Sequence, residues 1–272
     1  MEYLVTMTTH VPDGTPEQAV QDVRTREAGH SAELAAQGHL LRLWRPPLQP
    51  GEWRTLGLFA AAGDQRLEDV LASMPLRVWR TDEVTPLGPH PNDPLPDEKA
   101  PASGPVPAGP GAAGPGAEFL VTVTVTVPPG TAAQTVADTD AEEAQRAHDL
   151  AVQGHLIRLW TLPGDGRALG LWRARDAGQL REVLALLPVA PWTAVDIVPL
   201  SPHPSDPAIL RPPAVAGAQS GRPGSYGRAS QARAATVRAS VPVRRVGRSG
   251  GRNFGEWLLG RSCRRPSFSA VR

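Results

Sequence analysis

Hydrophobic and polar positions alternate over residues 3–11, with Tyr3, Val5, Met7, Thr9 and Val11 on one face. This is the period-two signature of a half-buried strand. The alternation returns more cleanly at Phe119, Val121, Val123, Val125 and Val127, opposite Leu120, Thr122, Thr124 and Thr126. Val11-Pro12-Asp13-Gly14 then reads as a turn, and Thr15, Pro16 and Gln18 have the form of a helix-capping box, repeated by Thr131 and Gln134. A long helix is predicted to run from there to about Gln37, stopped by Gly38, and in the second stretch to Gly154. Strands over 39–45 and 54–60 follow, the first carrying His39 and Leu41 on one face and Arg42 and Trp44 on the other. Leu67, Val70, Leu71 and Met74 at helical spacing mark a short helix before Pro75, and a last strand covers 78–85. The second stretch matches with strands at 155–161 and 167–173 and with Leu180, Val183, Leu184 and Leu187.

These parallels are an internal repeat. Tyr3–Thr8 recurs as Phe119–Thr124, and Gln37–Trp44 recurs as Gln153–Trp160 with Ile157 in place of Leu41, both at an offset of 116. Beyond Trp44 the offset is 113, because the loop at 46–53 is three residues longer in the first copy. Each copy reads β-α-β-β-α-β, an α+β, ferredoxin-like arrangement with an antiparallel sheet carrying both helices on one face. The bare face of such a sheet needs a cover, and the other copy can supply it sheet to sheet; a higher homo-oligomer is equally open. The expected layout is a first domain over 1–95, a Pro/Gly/Ala-rich linker over 96–117, a second domain over 118–208 and a disordered tail over 209–272.

Composition narrows the chemistry. The chain has 272 residues, with 30 Pro, 27 Gly and a single cysteine, Cys263, so no intrachain disulfide or Cys-rich zinc site is expected. Seven dispersed histidines give no metal spacing, and no metal is expected. No apolar run reaches the roughly 18 residues of a membrane span and the N-terminus lacks signal-peptide features, so a cytoplasmic protein is expected. The net charge of +1 hides an asymmetry: 209–272 holds 13 arginines and one acidic residue, Glu256. Such a tail could contact nucleic acid weakly and without sequence preference, or could be an extension without function. Phosphate-loop, H-E-x-x-H and G-x-S-x-G motifs are absent from the sequence.

The opening Tyr3-Leu4-Val5-Thr6-Met7-Thr8 strand, a mid-helix Glu, Gly38 followed by Leu43-Trp44-Arg45, a short helix ending in Met74-Pro75, and Pro89-His90-Pro91 at the close together resemble muconolactone Δ-isomerase. The resemblance covers nearly all of both copies. It implies small subunits that assemble into homo-oligomers with sites at subunit interfaces, no metal and no cofactor, and a small-molecule lactone substrate in which a proton moves between carbons during aromatic-compound breakdown. It also implies that Glu27, and Glu143 at the same place in copy two, serve as the acid/base. That chemistry needs one carboxylate plus groups to hold the substrate carboxylate and the developing enolate. His39 and His155 are candidate proton shuttles, or satisfied polar groups at a strand start. Arg42 and Arg158 could bind a carboxylate, or pair with an acid of the neighbouring copy. Trp44 and Trp160 could wall the substrate, or pack the core. His90 and His203, each between prolines, could reach an adjacent site, or be structural. Arg24 supplies the basic residue that the family carries three before its Glu.

Copy two departs from the pattern, with Asp140 in place of Arg24 and Thr161 in place of Arg45. Copy one is therefore the better catalytic candidate. The alternative reading is a non-catalytic ferredoxin-like module that binds a small metabolite or serves assembly.

Overall fold

Alternation at the chain start becomes β1 (Glu2–Thr9), with Tyr3, Val5, Met7 and Thr9 buried on one side. The computed structural model describes residues 1–95 and 116–210. Most of the predicted tail and of the predicted linker lies outside the described residues. α1 (Glu17–Ala36), β2 (Leu40–Arg45), β3 (Arg54–Ala60), α2 (Asp64–Ser73) and β4 (Arg80–Pro89) complete the first repeat. β5 (Ala117–Val125), α3 (Ala133–Val152), β6 (Leu156–Thr161), β7 (Arg167–Ala174), α4 (Ala177–Ala185) and β8 (Thr193–Pro202) complete the second. The order is that predicted, with a 3-10 turn at Pro75–Trp79 that the spacing did not anticipate.

Gly38 and Gly154 end the long helices at φ 77° and 78°, the left-handed conformation that glycine adopts without steric cost. The helix start differs from expectation. Pro16 is the N-cap and no side chain caps the helix; the Thr15 hydroxyl instead donates to the Pro12 carbonyl at 2.6 Å, and Thr131 does the same to Pro128. These threonines therefore close the preceding turn.

Within each repeat the central strands are β1 and β3, and β5 and β7, all antiparallel. The two sheets face one another and also join at their edges. β2 pairs with β8 at Trp44–Pro202 and Arg45–Ser201, and β4 pairs with β6 at Gly88–Thr161 and Pro89–Trp160. The eight strands thereby close into a barrel in the order β1-β3-β2-β8-β5-β7-β6-β4, which removes sheet edges that would otherwise offer unpaired backbone groups.

Three cores result. Tyr3, Val5, Leu34, Phe59, Leu67 and Leu71 pack the first sheet against its helices, and Phe119, Val121, Leu150, Leu156, Trp172 and Leu180 do so for the second. Trp44, Leu58, Leu87, Trp160, Leu171 and Leu200 fill the space between the sheets. The inner strands are thus covered on both sides, whereas β4 and β8 keep many of their residues exposed. The simple alternation over 39–45 fails at one point: the β2–β3 register shifts between Leu40 and Arg42, and likewise between Leu156 and Arg158. The extra residue lets Leu41, Arg42 and Trp44 all turn toward the other repeat.

Candidate active site

Arg42 lies between the repeats with a side chain only 8% exposed. Its guanidinium grips Glu118 with Nη1 at 3.3 Å and Nη2 at 2.7 Å, and donates from Nε and Nη2 to Asp206 at 3.1–3.3 Å. Trp44 donates its indole N–H to Glu118 and stacks under the guanidinium at 4.7 Å. The second repeat reproduces the arrangement in reverse: Arg158 holds Glu2 and Asp93, and Trp160 donates to Glu2. Of the two readings open for these arginines and tryptophans, the structure favours pairing and packing across the repeats. Each arginine is paired with two acids of the other repeat.

His39 and His155 also stand apart from the cavity described next. Each points its Nδ1 at a carbonyl, Ala60 or Arg173, at 3.0 Å, and the Nε2 of His39 lies 3.3 Å from Arg66. Their rings tie the start of β2 and β6 to the neighbouring strand.

What the first repeat does assemble is a cavity of about 320 Å³ between α1, the outer face of its sheet and the closing segment of the second repeat. Its size is at the lower end for small-molecule sites, roughly 300–1,000 Å³. Met7, Leu43, Met74, Leu76 and Trp53 give it an apolar wall, and Arg24, Glu27, Arg45, Arg80 and His203 bring polar groups to it. Of the residues singled out from the sequence, Arg24, Glu27 and His203 meet here. Arg45 appeared only in the motif, and Trp53 and Arg80 were missed. Trp53 closes the loop that is longer in the first repeat, with Arg24 stacked over it at 4.4 Å.

The cavity's one carboxylate is Glu27. Its Oε2 accepts the Leu76 backbone N–H at 2.8 Å, and its Oε1 lies 3.4 Å from Nη1 of Arg80. Burial raises its pKa; the Leu76 N–H and the Arg80 charge offset this only in part. A carboxylate so placed is a stronger base than one in water and a proton donor at a milder pH. His203 enters from the second repeat. Its Nδ1 accepts the Ser205 N–H at 3.1 Å, which leaves the proton on Nε2, and burial, with Arg45 nearby, lowers its pKa to about 4. At neutral pH it is therefore an uncharged hydrogen-bond donor.

The second repeat lacks this chemistry. Asp140, Thr161, Gly166, Thr193 and Val195 stand where Arg24, Arg45, Trp53, Arg80 and Asp82 stand in the first. Glu143 remains, but among the described residues its only hydrogen bond is a 3.4 Å N–H from Val189, and burial raises its pKa to about 7. Asp140, 4% exposed, has no hydrogen-bond partner on either oxygen among the described residues, and burial raises its pKa to about 6. His90, the counterpart of His203, is buried, its Nδ1 accepts the Asn92 N–H, and its pKa falls to about 3.

Asp140 and Glu143 make stability depend on pH. A carboxyl group whose pKa rises on folding keeps its proton in the folded chain when the unfolded chain has released it. Stability is then lost as pH climbs from the ordinary values of 3.8 and 4.5 toward about 6 and about 7. Asp140→Asn is accordingly expected to stabilise the protein at pH 8 by about 1–3 kcal/mol and by less at pH 5, as read by urea unfolding at the two pH values.

Comparison with known proteins places this architecture. Residues 1–93 and 117–206, together about two thirds of the chain, each match the muconolactone delta-isomerase family model. Muconolactone Delta-isomerase 1 of Acinetobacter lwoffii is 30% identical over 92 residues, 34% of this chain and 93% of that protein. Muconolactone Delta-isomerase of Cupriavidus pinatubonensis is 29% identical over 34% of this chain and 97% of that protein. A heme-binding protein of Thermus thermophilus is similar in fold alone, with 12% identity and a TM-score of 0.50 over 75% of this chain and 93% of that one. Among the described residues no helix is long and apolar enough to cross a membrane. With the family model matched over both halves, the chain belongs to the muconolactone delta-isomerase family as two tandem copies.

Proposed function

We propose that the first repeat is an intramolecular isomerase acting on a muconolactone-like unsaturated lactone in the breakdown of aromatic compounds, with Glu27 as its acid/base. The observation that carries this is Glu27 itself, a partly buried carboxylate lining a cavity with three arginines in its wall. Ionised Glu27 takes a proton from a ring carbon made acidic by the lactone carbonyl, and the electron pair moves into a dienolate. The carboxylic acid so formed returns the proton at another carbon, and the double bond shifts. No co-reactant is consumed. Arg24, aligned on Trp53, and Arg45 suit the substrate carboxylate. Arg80 and the Nε2–H of His203 suit the enolate oxygen. The second repeat then serves as a wall, contributing His203 and the cover of the sheet; self-association into a higher homo-oligomer accords with this reading.

The test is an ultraviolet assay of muconolactone isomerisation with the whole chain. Turnover is expected, and Glu143→Gln is expected to keep kcat/KM within about threefold, because the second repeat has Asp140, Thr161 and Thr193 in place of the three cavity arginines. Absence of turnover in the parent would overturn the reaction for this substrate. A collapse on Glu143→Gln would overturn its assignment to the first repeat.

A further inference from the structure

Glu27 does not have Arg80 to itself. The guanidinium is clamped by Asp82, with Nε 2.6 Å from Oδ1 and Nη2 3.0 Å from Oδ2, whereas its contact with Glu27 is a single 3.4 Å approach. Arg80 and Asp82 have side chains 2% and 3% exposed, so the pair is shielded from water and its geometry is held. Arg77 braces the clamp from outside, 2.7 Å from Asp82 Oδ2 and 2.8 Å from Glu68. An arginine free of Asp82 would form its bidentate pair with Glu27, and a carboxylate paired that way is a poor base.

The geometry points to Asp82 as a positioning residue that draws Arg80 off Glu27 and so keeps that carboxylate able to take a proton. The second repeat supports the coupling. Thr193 and Val195 replace the arginine and the aspartate together, as expected if neither has a use without the other. The remaining charged and titratable groups around Glu27 do not substitute for the clamp. Arg24 is stacked on Trp53, and His30 faces Glu33 and Ser73. Arg45 and His203 line the cavity from β2 and the second repeat.

The inference rests on the proposed role of Glu27, but its test does not require turnover. Carboxyl carbons of glutamate are labelled with ¹³C in the full chain, and Glu27 is titrated by NMR, its signal assigned by Glu27→Gln. Asp82→Asn is expected to lower the Glu27 midpoint by about one pH unit and Arg80→Gln to raise it by a similar amount. The double variant is expected to follow Arg80→Gln, since Asp82 acts through Arg80. The acidic limb of the pH–rate profile moves in the same directions. An Asp82→Asn midpoint equal to that of the parent overturns the proposal, as does one displaced equally whether or not Arg80 is present. Should Asp82→Asn fail to fold, Arg77→Gln at its more exposed position carries the test. Freeing one Asp82 oxygen tightens the clamp and raises the Glu27 midpoint by a few tenths of a pH unit, and an unmoved midpoint overturns it. The expected shifts without turnover would retire the lactone reaction and keep the role of Asp82; turnover with an unmoved Glu27 would do the reverse.

Discussion

Glu27→Gln is expected to lower kcat/KM for lactone isomerisation by about 10²–10⁴-fold, equivalent to about 3–5 kcal/mol of barrier. The amide keeps the shape of the side chain, and its oxygen can still accept the Leu76 N–H that anchors Glu27. What disappears is the capacity to carry a proton. Because the cavity holds no second carboxylate, neither half of the transfer has a substitute there. The loss belongs in kcat more than in KM, since Arg24, Arg45 and Trp53 are untouched. In the parent the rate is expected to fall with decreasing pH along a limb that lies above the usual carboxylate range, because burial raises the Glu27 pKa and only the ionised form abstracts a proton. A profile flat through that region, or Glu27→Gln activity within about threefold of the parent, would remove Glu27 from the chemistry.

Arg42→Ala is expected to cost about 3–5 kcal/mol of stability, the usual effect of breaking a buried ion pair by removing one partner. The cost comes from what remains. Glu118 and Asp206 would be left facing each other without the guanidinium, Asp206 being 1% exposed. Among the described residues only the Trp44, Leu43 and Ala208 N–H groups, and Arg173 at 3.2 Å from Glu118, would remain to hold the two acids. For an ordered region of this size the loss corresponds to a fall in Tm of roughly 10 °C, measurable by calorimetry. Adding Glu118→Gln and Asp206→Asn should recover much of it, because the penalty lies in unpaired charge. A triple variant no more stable than Arg42→Ala would mean that guanidinium packing, including the Trp44 stack, dominates.

Much of this was legible in the chain. The offset of 116 between repeats, Gly38 and Gly154 at the helix ends, and the period-two pattern of β1 and β5 each reflect a local rule that nothing distant overrides. Glu27 was legible only through the family resemblance, since a helical glutamate has no distinguishing mark of its own. Other features depend on what comes together in space. Thr15 suits either a helix cap or a turn, and the competing Pro12 carbonyl decided it. The bulge at Arg42 has no residue signature, and without it Leu41 is assigned to the wrong face. Arg80 and Asp82 did leave a trace: two charges two residues apart, on the strand face that must meet the helices, where the other copy has Thr193 and Val195. Trp53 left one as well, as the aromatic at the end of a loop that the second copy shortens. The acids that bind Arg42 lie 76 and 164 residues away, beyond any local pattern.

The reciprocal arginine clasps are what a symmetric pair of identical subunits would build, yet here both sides lie on one polypeptide. Association is therefore unimolecular, and the barrel does not come apart on dilution as a separable dimer would. The joining has an evolutionary consequence too. In a pair of identical subunits any replacement is made twice, so a change that spoils one site spoils both. Written into a single chain, Asp140 burdens only the half that carries it. The first half can keep its arginines while the second carries other residues in their places.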